Sequence, residues 1–321
     1  MNNLKKIGLS ALAGSLASVS AHAAEVSVSG SASITMDRVN KHLVTGNDFS
    51  MGDSLGFNMS GETDGGLGVA VYYEIDGGAL DDYDMTLSGG WGSLKFNGSG
   101  SSSALGAVDD VMPNAYEESW DILDTDGTST SGSPLVIGGG GGANMFIYTS
   151  PSFAGATITM AYQNDGGAAA VQDSYTDFAI AYSPEMVEGL TVGYATTDQE
   201  TAINKSVMKQ TAYAKYAVGG FTIGYQVSEA DHDTKTSSAD STSMGITYAV
   251  NDDFSIGYHT HTYEPDQASS VGTNDQESTG FSASYTMGGM TLAGAMNETD
   301  NMRGVATNDF ESYEFNLSFA F

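Results

Sequence analysis

Apolar and polar residues alternate along most of this chain. Between residues 26 and 36 the even positions are apolar or small, and every odd position carries a hydroxyl group. This period of two predicts a β-strand with one apolar face. Segments of the same kind recur up to the C-terminus, and counting them predicts sixteen strands. No window of about 18 consecutive apolar residues exists, so the sequence predicts no transmembrane helix.

A five-residue phrase recurs in the second half of the chain. It reads Leu-Thr-Val-Gly-Tyr from residue 190, Phe-Thr-Ile-Gly-Tyr from residue 221 and Phe-Ser-Ile-Gly-Tyr from residue 254. Each copy follows a short turn and precedes a longer polar loop. This asymmetry is typical of outer-membrane barrels, and in lipid only a closed barrel pairs the backbone groups of every strand. We therefore predict an all-β fold, a transmembrane antiparallel up-and-down β-barrel of 16 strands.

One long acidic segment, residues 99–143, interrupts the alternation. Connections longer than about 12–15 residues are uncommon and are usually functional or disordered. The segment contains no Lys or Arg, and its acidic residues are Asp109, Asp110, Glu117, Glu118, Asp121, Asp124 and Asp126. We predict that this third loop folds back into the lumen of the barrel and narrows the pore.

The N-terminus has the features of an export signal. Lys5 and Lys6 precede a short apolar region, and Ala21-His22-Ala23 is an A-x-A cleavage site. The apolar region is too short for a membrane anchor. We predict a cleaved signal peptide over residues 1–23 and one barrel domain over residues 24–321. The chain contains no cysteine, which excludes disulfides and thiolate chemistry.

The charge balance excludes one class of partner. The chain has 10 basic and 40 acidic residues, and removing residues 1–23 with their two lysines leaves 8 − 40 = −32. A surface this acidic repels phosphate groups, so we expect no nucleic acid partner.

Three motifs carry a resemblance to a known family. They are Ala-Ala-Glu-Val-Ser-Val-Ser-Gly at residues 23–30, Tyr-Thr-Ser-Pro-Ser-Phe-Ala-Gly at 148–155 and Glu-Phe-Asn-Leu-Ser-Phe-Ala-Phe at 314–321. With them the chain resembles the trimeric general porins of Gram-negative bacteria, and most of all the Rhodobacter-type porins. The resemblance implies a homotrimer in outer-membrane lipid and a third loop whose carboxylates face a basic cluster on the barrel wall. It also implies that Phe321 belongs to the signal read by the outer-membrane insertion machinery.

These inferences define an expected pore constriction. Its loop residues are Asp109, Asp110, Glu117, Glu118, Asp121 and Asp124, and its wall residues are Lys95, Arg38 and Lys41. Acidic rings in a pore favour cations. The sequence thus predicts a passive, water-filled channel for small hydrophilic solutes and ions that prefers cations and needs no cofactor, metal or catalytic residue.

Three other functions remain open at this point. The first is an outer-membrane channel selective for one substrate, and the second is a secreted, soluble acidic β-protein. The third is a barrel enzyme built on His259 and His261, which share the inward parity of one strand. No nucleophile motif accompanies these histidines, so we expect solvated side chains there. The run of glycines at residues 138–142 lacks the helix and Lys of a phosphate loop, which favours a flexible linker.

Overall fold

The computed structural model describes residues 25–39, 49–121, 134–139, 143–164, 174–202, 205–233, 238–266 and 272–321. The predicted signal peptide, Lys41 and Asp124 lie outside these residues. Within them the chain forms sixteen strands: β1 Glu25–Val39, β2 Phe49–Glu62, β3 Gly68–Asp76, β4 Ala79–Gly89, β5 Gly92–Ser99, β6 Met145–Thr149, β7 Ala156–Gln163, β8 Tyr175–Tyr182, β9 Leu190–Ala202, β10 Lys205–Val218, β11 Phe221–His232, β12 Ala239–Ala249, β13 Phe254–Pro265, β14 Gln276–Met287, β15 Met290–Asp300 and β16 Phe310–Ala320.

The sixteen strands form one closed antiparallel barrel. Each strand pairs with its neighbours in sequence, and β1 pairs with β16. At the closing seam the backbone N–H of Gly30 donates to the carbonyl of Phe321 at 2.7 Å, and the N–H of Phe321 donates back at 2.9 Å. The predicted fold, including closure of the last strand on the first, is confirmed.

The two faces of the barrel differ as the alternation predicts. Outward positions carry large apolar side chains that stay exposed, such as Val26, Met51 and Met296. Inward positions are mostly polar or small, so the interior is not an ordinary apolar core. In the part of the chain that the structure describes, no helix is long and apolar enough to cross a membrane.

The predicted asymmetry of the connections has exceptions, one of which lies between β3 and β4. These strands are joined by Gly77 and Gly78 alone, with φ of +55° and +80°. A two-residue hairpin turn of this kind needs positive φ at both positions, which glycine adopts without strain. The connection between β3 and β4 is therefore very short, and it lies at the same end of the barrel as the start of the long loop.

Candidate functional site

The long loop lies against the inner wall of the barrel. Near its start the backbone N–H of Leu105 donates to Asp177 Oδ2 of β8 at 2.6 Å. Further along, the Tyr116 hydroxyl donates to the Glu314 carboxylate of β16. The described part of the loop thus follows the wall from β8 around to β16.

Wall amides hold the loop backbone between these two ends. The Gln226 side-chain amide on β11 donates to the carbonyls of Val108 at 2.9 Å and Asp109 at 2.8 Å. On β15 the Asn297 amide donates to the carbonyls of Glu118 and Asp121, both at 2.8 Å. These bonds satisfy backbone groups that the irregular chain could not pair with itself.

The returning limb of the loop, residues 134–139, is also attached to the wall. Gln276 pairs with Leu135 like a neighbouring strand, accepting from its N–H at 2.9 Å and donating to its carbonyl at 3.0 Å. Lys209 Nζ donates to the carbonyl of Gly138 at 2.7 Å, and the N–H of Gly139 donates to the Asp109 carboxylate. The described start of the predicted flexible linker is therefore held by side chains.

A row of inward-facing glycines receives the loop. Its members, one on each of β11 to β14, are Gly224, Gly245, Gly257 and Gly280. A Cβ at Gly257 would lie 2.7 Å from the backbone nitrogen of Ala115, and one at Gly224 would lie 2.8 Å from Met112 Sδ. Gly224 and Gly257 belong to two of the three copies of the repeated five-residue phrase, so these two copies contained a signal for loop docking that sequence reasoning missed. Gly193 of the first copy faces the Tyr213 ring instead.

The two inward histidines of β13 lie beneath the loop. His259 is 1% exposed and His261 is 3% exposed. The Trp120 ring stands edge-on to both imidazoles, with centroids 5.0 Å from His259 and 4.8 Å from His261. The prediction of solvated histidines is wrong, because the loop covers this strand.

A serine–histidine contact accompanies this burial. Ser119 Oγ lies 2.7 Å from His259 Nδ1, and the Ser119 N–H donates to the same nitrogen at 3.2 Å. The two atoms resemble a nucleophile and its base. Both side chains are buried, so the contact is placed to anchor the loop and not to meet a substrate.

Asp109 and Asp110 stand at the first turn of the loop. Asp110 is exposed, whereas Asp109 is half-buried. Burial raises the pKa of Asp109 to about 6, against the lowering effect of the hydrogen bond from the N–H of Gly139. Asp110 therefore contributes a solvated charge, and Asp109 a carboxylate that takes up a proton more readily than usual.

Three of the predicted constriction acids come together. The carboxylate oxygens of Glu117, Glu118 and Asp121 lie within 4.8 Å of one another. Burial raises the pKa of Glu117 and Glu118, and the hydrogen bond with Asp121 raises that of Glu117 further. The loop thus concentrates acidic groups at one place, and their burial makes Glu117 and Glu118 take up protons more readily than free carboxylates.

The two predicted wall bases that the structure describes lie on different faces of the barrel. Lys95 lies on the inner face of β5, where its Nζ is 3.2 Å from Asp84 Oδ2 and 3.3 Å from Ser101 Oγ. Arg38 is exposed and paired with Tyr313, in the outward series of β1, because its neighbour Asp37 takes the inward position. The structure therefore does not place Arg38 on the pore wall.

The wall around Lys95 is acidic. Glu74 of β3 accepts hydrogen bonds from the hydroxyls of Ser54 and, at 3.0 Å, Tyr72. Asp84 of β4 forms an ion pair with Lys95. Carboxylates thus occur on the loop and on this part of the wall, and the basic cluster that the resemblance implied is absent from the described residues.

Comparisons with known proteins agree with this architecture. The anion-selective porin from Comamonas acidovorans has a TM-score of 0.71 at 15% identity, over 93% of this chain and 100% of that chain. OmpT of Vibrio cholerae, expressed in the outer membrane, has 0.69 at 11%, over 94% and 99%. A mutant of Rh. blastica porin has 0.65 at 15%, over 92% and 100%.

These low identities show a common fold and nothing about selectivity. No curated protein matches the sequence. The family model of the Gram-negative porins, however, matches residues 8–321, which is nearly the whole chain. Together with the closed sixteen-stranded barrel and its inner loop, this match shows that the chain belongs to the Gram-negative porin family, whose members are outer-membrane channels.

Proposed function

We propose that this porin is a water-filled, passive diffusion channel for small hydrophilic solutes and ions, and that it prefers cations. The observation that carries the proposal is the acidic loop, which runs along the inner wall while the neighbouring bases are few and engaged. Lys95 pairs with Asp84, and Lys209 is bonded to Gly138. Uncompensated carboxylates beside a narrow aqueous path attract cations.

A reversal-potential measurement tests the preference. Replacing Glu117, Glu118 and Asp121 by their amides removes the concentrated charge of the loop. In a KCl gradient, the reversal potential of this triple variant should move toward zero. The cation preference of the wild type should shrink as salt rises, because the Debye screening length becomes shorter. The matched control replaces three acids in turns outside the loop, Glu185, Glu188 and Asp252. An anion-selective wild type would contradict the proposal.

A deletion tests the role of the loop. We propose that residues 99–143 form the constriction, with residues 24–321 as a single barrel domain. Removing residues 107–130 should raise single-channel conductance, because the loop occupies lumen cross-section. Heat-dependent gel mobility would verify that the deleted protein still forms a barrel. A folded deletion variant with wild-type conductance would mean that another part of the pore limits flow.

We further propose that the chain is exported through cleavage of residues 1–23 and assembles as a homotrimer. One observation supports a subunit contact. Asp53 is exposed in the outward series of β2, between Met51 and Leu55, where a lipid-facing carboxylate is costly. A neighbouring subunit would shelter it. Native mass spectrometry of the outer-membrane protein, with sequencing of its N-terminus, tests both statements.

Phe321 is proposed as part of the assembly signal. Its backbone closes the seam with Gly30, while its ring is 78% exposed and therefore available to another protein. Deleting Phe321 should lower the amount of assembled barrel in cells far more than it changes the conductance of the barrels that do assemble. Wild-type assembly after the deletion would remove this role.

A further inference from the structure

We propose that the outer face of the barrel binds one phospholipid with an amino head group, of the phosphatidylethanolamine class. An acyl chain would lie in an apolar groove across β13, β14 and β15, called here the outer groove. The head group would lie against the acidic turn between β12 and β13. The outer groove is on the opposite side of the wall from the pore, so this proposal goes beyond the channel function and does not depend on cation preference.

The register of three neighbouring strands forms the outer groove. On its floor Ala283 of β14 lies directly opposite Gly294 of β15. The row of outward side chains on the long-loop side of this floor is Tyr258, Phe281 and Met296. The row on the short-turn side is Phe254, Tyr285 and Leu292. Two rows of large side chains thus flank a row that contains small ones, which leaves a channel between them.

The size of the outer groove suits a lipid chain. Its volume is about 690 Å³, within the range of roughly 300–1,000 Å³ that is typical of small-molecule sites. The outward side chains that line it are apolar or aromatic. Exposed apolar surfaces of this kind mark contacts with membranes or with other proteins.

The shape of the outer groove favours a chain over a protein surface. Phe281 is 65% exposed and Met296 is 68% exposed, so the row on the long-loop side protrudes. The Tyr258 ring packs against Phe281, with centroids 4.7 Å apart, and supports this ridge. A narrow, flexible chain fits between such ridges, whereas a broad protein surface would need a matching ridge of its own. In a family of outer-membrane channels, the outward face of the barrel meets acyl chains.

The polar end of the proposed site is the turn between β12 and β13. Short turns of outer-membrane barrels face the periplasm, so this end meets the head groups of the periplasmic leaflet. Asp252 and Asp253 are exposed and directly precede Phe254, which lines the outer groove. The N–H groups of Asp253 and Phe254 both donate to Asn251 Oδ1 at 2.9 Å, which fixes the turn. Two fixed carboxylates attract an ammonium group and repel a lipid with net negative charge.

The other short turns have the same sign of charge. The segments that join strands at this end contain no Lys or Arg. Their acidic residues are Asp64, Glu185, Glu188, Asp252 and Asp253. Clusters of Lys and Arg recruit anionic lipids, and this end of the barrel has the opposite charge. Charge complementarity therefore favours a lipid of the periplasmic leaflet that carries an ammonium group.

Native mass spectrometry of the folded protein in detergent tests the head-group preference. The probes are phosphatidylethanolamine and phosphatidylglycerol with identical acyl chains. We expect the wild type to retain one phosphatidylethanolamine per chain, with affinity about fivefold or more above that for phosphatidylglycerol. Asp252→Asn combined with Asp253→Asn should remove this preference. Glu185→Gln combined with Glu188→Gln makes the same charge change at another turn and should keep it. Equal retention of the two lipids by the wild type would overturn the proposal.

A substitution on the floor of the outer groove tests the place of the acyl chain. Ala283→Leu would occupy the channel and should lower the affinity for phosphatidylethanolamine by about tenfold or more. Ala214→Leu, on the outer face of β10 and outside the outer groove, is the matched control and should bind as the wild type does.

Heat-dependent gel mobility would verify that both variants are folded barrels. Wild-type affinity in a folded Ala283→Leu protein would overturn the site. A wild type that retains neither lipid, with a subunit assembly that Ala283→Leu weakens, would mean that a second copy of the chain covers the outer groove, and would also overturn it.

Discussion

Two parts of the inner wall have the same strand pattern and different chemistry. On the covered wall, the inner faces of β8 to β16, many inward positions under the loop are glycines, amides, hydroxyls and buried histidines. The charged residues there, Asp177, Lys209 and Glu314, are each hydrogen-bonded to the loop. On the open wall, the inner faces of β2 to β5, they include the charged Glu74, Asp84 and Lys95. Alternation decides only which side of the sheet a residue faces. The type of residue that fits at an inward position depends on whether that position faces the loop or the water of the lumen.

The largest expected effect comes from filling the glycine row. Gly245→Leu combined with Gly257→Leu would place side chains where the loop backbone now lies, and overpacking of this kind costs about 1–3 kcal/mol per site. We expect the loop to leave its seat and single-channel conductance to rise by about half or more.

The matched control for this variant places leucines at Gly61 and Gly90, where a Cβ would meet nothing within 4 Å. Both double variants should show barrel mobility on gels. A folded Gly245→Leu/Gly257→Leu protein with wild-type conductance would show that the covered wall does not depend on these glycines.

A smaller effect is expected from removing one anchor. Gln226→Leu keeps similar bulk but leaves the carbonyls of Val108 and Asp109 without their donor, at a cost of about 1–3 kcal/mol. Hydrogen exchange around residue 108 should speed up by about tenfold or more while exchange in the open wall stays constant. Gln210→Leu, which removes an exposed amide bonded to Glu229, is the control. Equal protection in wild type and Gln226→Leu would refute the anchoring role.

The pH dependence distinguishes the loop acids from ordinary carboxylates. Burial raises the pKa of Glu117, Glu118 and Asp109, the last from 3.8 to about 6. The folded loop therefore takes up protons as pH falls from about 8, the raised pKa of Glu117, through about 6, the raised pKa of Asp109. An unfolded chain would take them up only at lower pH, so the seating of the loop becomes more stable as pH falls through this window.

Over the same window the loop loses negative charge. Cation preference, measured as reversal potential, should accordingly decline well above the pH at which free carboxylates titrate. In Asp109→Asn the part of the decline near pH 6 should be reduced. A preference that stays constant down to about pH 5 would mean that these acids do not act on the ion path.

The smallest effect concerns the open wall. Lys95→Met breaks the pair with Asp84, but the lysine side chain is 36% exposed and such pairs contribute about 1 kcal/mol or less. We expect a nearly unchanged melting temperature and a slightly stronger cation preference. Lys215→Met, which removes another inward lysine, is the control. A large loss of stability in Lys95→Met alone would mean that the open wall depends on this pair.

The sequence predicted the strands well because alternation is a local property. It also predicted the inner loop, since a long polar segment between two barrel strands is conspicuous. Local patterns failed where distant segments meet: His259 has inward parity as predicted, yet only the loop determines that it is buried. The prediction for Arg38 was wrong because neighbouring residues of a strand face opposite sides of the sheet. At the end of β1 it is Asp37 that faces the pore, and Arg38 faces outward.

The glycine row and the anchors also set an order of events during assembly. The wall partners of the loop come much later in the chain: the Tyr116–Glu314 bond joins residues 198 apart, and the Asn297–Glu118 bond joins residues 179 apart. Contacts between segments so far apart in sequence are slow to form. We therefore expect the barrel wall to form first and the pore to reach its final width only when the loop is seated.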